Sequence, residues 1–216
     1  CTPGCGRREK MAGKGNDGGG GGEHYYTPRP TSKPRLGLLK AVLGGTEYKF
    51  VTSSGVFSPK RVDRGTALLV ECMKTEDGDK VLDLGCGYGV LGIVAARRAR
   101  CKVVMTEINA RAAALARRNL ELNGVEGEVR EGNLYEPLTH ETFDTIICNL
   151  PMSAGLRHVF EIIDGAKGHL REHGSLQVVV RKGSGRVEKR MFEAFGNVET
   201  VAKRGGYRVL VSKMPG

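Results

Sequence analysis

Between residues 80 and 98 an apolar run passes through a glycine turn directly into a second apolar run. The order is Lys80-Val-Leu-Asp-Leu84, Gly85-Cys-Gly-Tyr-Gly89 and Val90-Leu-Gly-Ile-Val-Ala-Ala-Arg-Arg98. The first run reads as a buried strand and the last as a helix. Glycines at alternate positions let the main chain turn sharply and approach a ligand with no Cβ in the way. A plain strand-to-helix turn does not need three of them. In an open parallel sheet such a turn lies beyond the carboxyl end of a strand, where ligands bind.

The same alternation continues downstream. Strands are expected over 102–106, 128–130, 143–148 and 176–181, and helices over 110–122, 156–172 and 186–195. A hairpin is expected from 198–202 and 207–212 across Arg204-Gly205-Gly206. Alternating strands and helices require crossover connections. The expected fold is therefore α/β and Rossmann-like: a mostly parallel sheet, helices on both faces and an antiparallel C-terminal hairpin strand.

Upstream of residue 80 the pattern is looser. Leu36, Leu38, Leu39, Val42 and Leu43 suggest a short helix, Glu47–Thr52 a strand, and Val56 with Phe57 a second short strand after the Ser54-Gly55 turn. Asp63 is placed to cap a helix over 64–74. Residues 1–23 hold nine glycines and read as a flexible basic tail. Order is expected from His24. One domain is expected over 24–216, with residues 24–79 as a helix and hairpin extension and residues 80–216 as the core.

Hydrophobic residues make up 39% and charged residues 27%, which excludes wholesale disorder. No apolar run is long enough to cross a membrane, and no secretory signal is evident. The cysteines at 72, 86, 101 and 148 stand singly, so reduced thiols and a cytoplasmic setting are expected. The net charge is +10. Residues 1–35 carry 7 basic and 3 acidic side chains, residues 181–216 carry 9 and 3, and the 145 residues between carry 18 of each. Basic ends on a neutral body favour a polyanion such as RNA. Arg181, Lys182, Arg186, Lys189, Arg190, Lys203 and Arg204 are candidates for phosphate contact. Arg97, Arg98 and Arg100 read rather as a solvated helix end. Tyr25 and Tyr26 either stack on bases or pin the N-terminal segment.

The ligand of the glycine turn is constrained by Asp83. Gly87-x-Gly89-x-x-Gly92 matches the dinucleotide fingerprint, but a carboxylate just before the turn would repel a pyrophosphate. It suits a ligand bearing an ammonium and a sulfonium, as S-adenosylmethionine does. Glu107, at the end of the next strand, is placed to accept both ribose hydroxyls. Asn133, in Gly132-Asn-Leu134, is either an adenine contact or an ordinary turn residue. Cys86, Ile108 and Leu134 accompany these residues, with Gly85, Gly87 and Asn149, in the expected cofactor set.

Asp83-Leu-Gly-Cys-Gly-Tyr-Gly89 and Glu107 resemble the first two motifs of class I S-adenosylmethionine-dependent methyltransferases. Ser54-Gly-Val-Phe-Ser58, Asp63-x-Gly65-Thr66-x-Leu-Leu69, Gly196-Asn-Val-Glu-Thr200 and Gly205-Gly-Tyr-Arg208 resemble the "methyltransferase small" family. That family includes the bacterial small-subunit rRNA guanine-N2 methyltransferases and archaeal single-domain relatives. The resemblance implies a seven-stranded sheet with a reversed last strand. It also implies Phe57, Ser58 and Thr66 near the cofactor, although a core Phe and a capping Thr are equally good local readings.

In related enzymes the fourth strand is followed by Asn-Pro-Pro and an aromatic or apolar residue. Here the residues are Asn149-Leu150-Pro151-Met152. The resemblance makes this the catalytic loop. The lone pair of an exocyclic amine is delocalised into its ring. An Asn oxygen and a backbone carbonyl, each accepting one N–H, turn that lone pair toward the methyl carbon. Leu150 in place of proline implies a less rigid loop, and Met152 a looser contact with the base. The expected function is transfer of methyl from S-adenosylmethionine to guanine N2 of ribosomal RNA, leaving S-adenosylhomocysteine. Alternatives are adenine N6, a protein glutamine, or an RNA-binding module without turnover. No metal is expected: His169-x-x-Glu172-His173 fits a zinc string but ends against Gly174.

Overall fold

The computed structural model describes Lys33, residues 35–54, Val56, residues 58–181 and residues 183–216. The expected tail, Tyr25, Tyr26, Phe57 and Lys182 lie outside these. The chain begins with strands β1 (Leu36–Leu43) and β2 (Thr46–Ser53), paired antiparallel in unbroken register. The helix expected over Leu36–Leu43 is therefore a strand. Gly44 and Gly45, with φ of 56° and 81°, form the two-residue left-handed turn that closes such a hairpin. Val56 lies in a bend rather than in a second strand.

Helix α1 (Arg64–Cys72) follows, and Asp63 Oδ2 caps it by accepting from the N–H groups of Gly65 (2.8 Å) and Thr66 (3.1 Å). Then come β3 (Lys80–Leu84), α2 (Val90–Ala99), β4 (Lys102–Glu107), α3 (Ala110–Leu122), β5 (Glu128–Glu131), β6 (Phe143–Asn149), α4 (Leu156–Ala166), β7 (Leu170–Val180), α5 (Ser184–Phe195), β8 (Glu199–Arg204) and β9 (Tyr207–Lys213). The large sheet has the order β5-β4-β3-β6-β7-β9-β8. Strands β3 to β7 run parallel, and β9 runs antiparallel to both β7 and β8.

Alternate residues of the strands feed two cores. Val81, Ile147 and Val179 pack with Leu69, Val94 and Leu115 of α1, α2 and α3. Leu82, Ile146 and Val178 pack with Ile162 and Met191 of α4 and α5. Covering a sheet on both faces in this way is what the near-continuous apolar strands require.

The helix expected over 156–172 stops at Ala166. A single 3₁₀ turn spans Lys167–His169, and β7 already begins at Leu170. Phe143 pairs with Leu170, but Thr145 pairs with Ser175, so β7 bulges between them. A Cβ on Gly174 would lie 2.9 Å from the carbonyl oxygen of Arg171 and 3.0 Å from that of Asp144. Gly174 is thus a bulge glycine within the sheet, not a helix stop. His169 and His173 fall on different elements. The His169 ring stacks on Tyr135, and its Nδ1 lies 2.8 Å from the Glu141 carbonyl. Among the described residues, no three His, Cys, Asp or Glu side chains are grouped to hold a metal ion, and no helix is long and apolar enough to cross a membrane.

Candidate active site

The carboxyl ends of β3, β4 and β6 open into a cleft of about 400 Å³. Every residue of the expected cofactor set and catalytic loop lines it: Asp83 within β3 and Gly85, Cys86 and Gly87 after it; Glu107 ending β4 and Ile108 after it; Asn133 and Leu134 after β5; and Asn149 ending β6 with Leu150, Pro151 and Met152 after it. Thr66 lines it too, whereas Ser58 does not. Gly85, Gly87 and Gly89 have φ of 68°, 59° and 95°, so the turn needs glycine for its backbone as well as for access.

Two buried carboxylates define the electrostatics. Asp83 is 1% exposed. Its Oδ2 accepts from the Gly92 N–H at 2.8 Å, which braces the first turn of α2. Its Oδ1 has no partner among the described residues. Burial pushes its carboxyl up to about 7, helped by the neighbouring charge of Glu107 and opposed by the Gly92 bond. Burial raises Glu107 too, against the N–H groups of Asn109 and Gly87. Glu107 Oε2 accepts from Gly87 (2.8 Å) and Oε1 from Asn109 (2.9 Å), and the Ile108 N–H also bears on the carboxylate. Thr106, which borders the cleft, also has its Oγ1 buried without a partner among the described residues. An unpaired buried carboxylate oxygen is costly until a cation or donor meets it. S-adenosylmethionine, with an ammonium and a sulfonium, fits this lining, whereas a pyrophosphate would face two buried carboxylates.

Asn133 does form a turn: its carbonyl accepts from Glu136 N–H at 3.0 Å and its N–H donates to Glu136 Oε2 at 3.2 Å. Those contacts use only its backbone, so its side chain, which borders the cleft, is not needed for the turn.

Leu150 departs from the related motif in a way the structure explains. Its N–H donates to the Val179 carbonyl of β7 at 3.0 Å, a bond that proline cannot make, and its side chain is 5% exposed. The loop expected to be looser is instead anchored by a ladder bond and a buried side chain. The Leu150 carbonyl accepts from Met152 N–H at 2.9 Å and retains its second lone pair.

Asn149 ends β6. Its Nδ2 donates to Thr66 Oγ1 (2.9 Å) and Asp63 Oδ2 (3.1 Å). No described residue donates to its Oδ1. Asp63 and Tyr207 border the cleft as well, and neither was expected there. Asp63 reads locally as a helix cap, and Tyr207 only as part of a hairpin strand.

The basic residues sort into distinct groups. Arg190 bonds Asp164 (2.8 and 2.5 Å), Arg204 bonds Glu71 (2.6 Å), and Lys189 lies 3.8 Å from Glu193. Arg98 donates to the Val70 carbonyl, and Arg97 lies over the Tyr48 ring. Arg181 is exposed at the cleft, with its guanidinium 5.7 Å from the centre of the Tyr207 ring.

This strand order, with a reversed strand second from one edge, a glycine turn after β3, an acidic end to β4 and an Asn ending β6, defines a Rossmann-like methyltransferase fold and site. The chain belongs to the methyltransferase small domain family, whose model matches residues 47–211. It is 32% identical over 198 residues to the uncharacterized protein YbxB of Bacillus subtilis, covering 88% of this chain and 98% of that one. It is 32% identical over 184 residues to ribosomal RNA small subunit methyltransferase C of Aeromonas hydrophila, covering 83% of this chain and 53% of that one. Among solved structures, the T. thermophilus 16S rRNA N2 G1207 methyltransferase (RsmC) in complex with AdoMet and guanosine matches with a TM-score of 0.78 at 29% identity. That match covers 86% of this chain and 52% of the other. The chain thus spans about half the length of these two rRNA methyltransferases.

Proposed function

We propose that the chain is an S-adenosylmethionine-dependent methyltransferase acting on the N2 amine of guanine in ribosomal RNA, and that residues 24–216 form one methyltransferase domain working in the cytoplasm. The observation that carries this reading is the Asn149 amide, fixed through its nitrogen with its oxygen left to accept from a substrate amine, beside an unpaired buried carboxylate. The similarity to the T. thermophilus enzyme supports guanine N2 over adenine N6 or a glutamine side chain, and the basic excess supports RNA over protein.

The bound cofactor would supply a methyl group on a positively charged sulfur. Asp83 Oδ1 would meet its ammonium end, with the main chain of Gly85 and Gly87 and the side chain of Cys86 alongside. Glu107 would take the ribose hydroxyls, and Asn133, Leu134 and Ile108 would flank the adenine. Asn149 Oδ1 and the Leu150 carbonyl would each accept one N–H of the target amine and turn its lone pair toward the methyl carbon. Pro151 and Met152 would pack against the base, which must be flipped or unpaired to enter. Arg181 would hold a flanking phosphate.

The test is label transfer from tritiated S-adenosylmethionine to unmodified small-subunit rRNA, followed by nucleoside mass spectrometry. Asn149→Ala is expected to lose about 100-fold or more in turnover, while calorimetry shows unchanged S-adenosylhomocysteine binding. Undiminished single-turnover transfer in that variant removes Asn149 from the mechanism. RNA binding by the wild-type protein without any label transfer favours a module that only binds.

A further inference from the structure

We infer that Asp63 and Tyr207 are positioning residues that hold the Asn149 amide the right way round, an inference that rests on the catalytic role proposed for Asn149. An amide presents opposite hydrogen-bonding character at its two ends. A carboxylate only accepts, so the end of Asn149 that faces Asp63 Oδ2 at 3.1 Å must be the NH₂ group. Thr66 Oγ1, at 2.9 Å, takes the second amide hydrogen. With both hydrogens engaged, the oxygen is the end left for a ligand. Without Asp63 the amide is free to turn over and present hydrogens to a substrate amine that itself offers hydrogens.

Asp63 is held from three sides. Its Oδ2 caps α1 through Gly65 and Thr66, and its Oδ1 accepts from the Tyr207 hydroxyl at 3.1 Å. Tyr207 opens β9, 144 residues away along the chain. Gly65 makes the contact possible. A Cβ there would lie 2.7 Å from two carbons of the Tyr207 ring, so only glycine lets the ring lie against the start of α1. Asp63, Thr66 and Asn149 therefore converge from α1 and β6, and Tyr207 fixes the arrangement from the C-terminal hairpin.

Asp63→Ser separates the two roles of Asp63. Serine caps a helix about as well as aspartate, but its shorter side chain does not reach Asn149. The variant is expected to lose about 10- to 100-fold in kcat with unchanged affinity for S-adenosylhomocysteine. Tyr207→Phe, which removes one hydroxyl, is expected to lose about fivefold. Introducing Asp63→Ser into Asn149→Ala is expected to cost nothing further, because the group being positioned is already gone. Equal losses in the wild-type and Asn149→Ala backgrounds, or wild-type kcat in Asp63→Ser, would overturn the inference.

A second readout needs no substrate. In protein labelled with ¹⁵N-asparagine, the Asn149 side-chain NH₂ signals are identified by their loss in Asn149→Ala. They are expected to be protected from solvent exchange in the wild type and to lose that protection in Asp63→Ser and Thr66→Val. Unchanged protection in both variants sinks the inference. Full activity of Asn149→Ala instead sinks the catalytic reading beneath it, whatever the amide signals show.

Discussion

Asn119 pairs with Val51 in both directions: its Oδ1 accepts from the Val51 N–H at 2.7 Å and its Nδ2 donates to the Val51 carbonyl at 3.0 Å. The same Nδ2 donates to the carbonyl of Tyr88 in the glycine turn at 2.9 Å. Asn123, one helical turn later, repeats the pattern on Lys49 at 3.2 and 2.8 Å. Four residues of helix rise about 6 Å and two residues of strand about 6.6 Å, so α3 serves as a partner strand for the free edge of β2.

Removing this contact leaves buried backbone groups of Val51 and Tyr88 unpaired. Asn119→Ala is expected to lower unfolding stability by about 3 kcal/mol, whereas Asn123→Ala, at a more exposed position, is expected to cost under about 1 kcal/mol. Urea unfolding of the two variants checks this, and equal effects would refute it.

Asp83 gives stability a pH dependence. The ordinary value of 3.8 is raised to about 7 in the folded chain. Between those values the folded chain holds a proton that the unfolded chain has released, so stability falls as pH rises through this window and levels off above it. The full span corresponds to about 4 kcal/mol. The melting temperature of the free protein is expected to fall from pH 5 to pH 8 more steeply than that of Asp83→Asn, and identical slopes would refute the assignment.

A cationic ligand at Asp83 favours the ionised carboxylate and so releases the proton. Affinity for S-adenosylmethionine is therefore expected to rise between pH 6 and pH 8. Calorimetry in two buffers of different ionisation enthalpy is expected to detect the released proton at pH 6 and not in Asp83→Asn.

Leu150→Pro restores the related motif but removes the N–H that reaches Val179 and the side chain buried beneath the loop. The variant is expected to be about 3 kcal/mol less stable than the wild type. Equal urea midpoints would show that the bond to Val179 contributes nothing.

Arg181→Ala is expected to weaken rRNA binding across sequences and to reduce the slope of log affinity against log salt by about one unit. Arg190→Ala, which removes a group already paired with Asp164, is expected to leave that slope unchanged. Filter-binding titrations at several salt concentrations separate the two.

Much of the site was legible because its signals are local. The glycine turn, Asp83 just before it and Glu107 ending the next strand follow from the order of residues within one βαβ unit. Three features were not legible. The apolar spacing of Leu36, Leu38, Leu39, Val42 and Leu43 fits a helix as well as a strand, and only pairing with β2 decides between them. The apolar pattern of α4 continues into Leu170, and β7 is already under way before Gly174 because Phe143 pairs with Leu170 and the bulge inside β7 lies against Phe143 and Asp144 of β6. Asp63 was read correctly as a cap. Its bond to Asn149, 86 residues away, depends on packing that no local window contains.

Among the described residues β9 comes after every other strand of the sheet in chain order yet lies inside it, between β7 and β8. During translation, therefore, the Val-rich β7 emerges with one edge unsealed until residues 207–213 have left the ribosome. Such an edge is a template for misassembly. A chain halted short of Tyr207 is exposed to aggregation and lacks one wall of its cleft, so a sealed sheet edge and a closed cleft wall arrive together, with the pairing of β9.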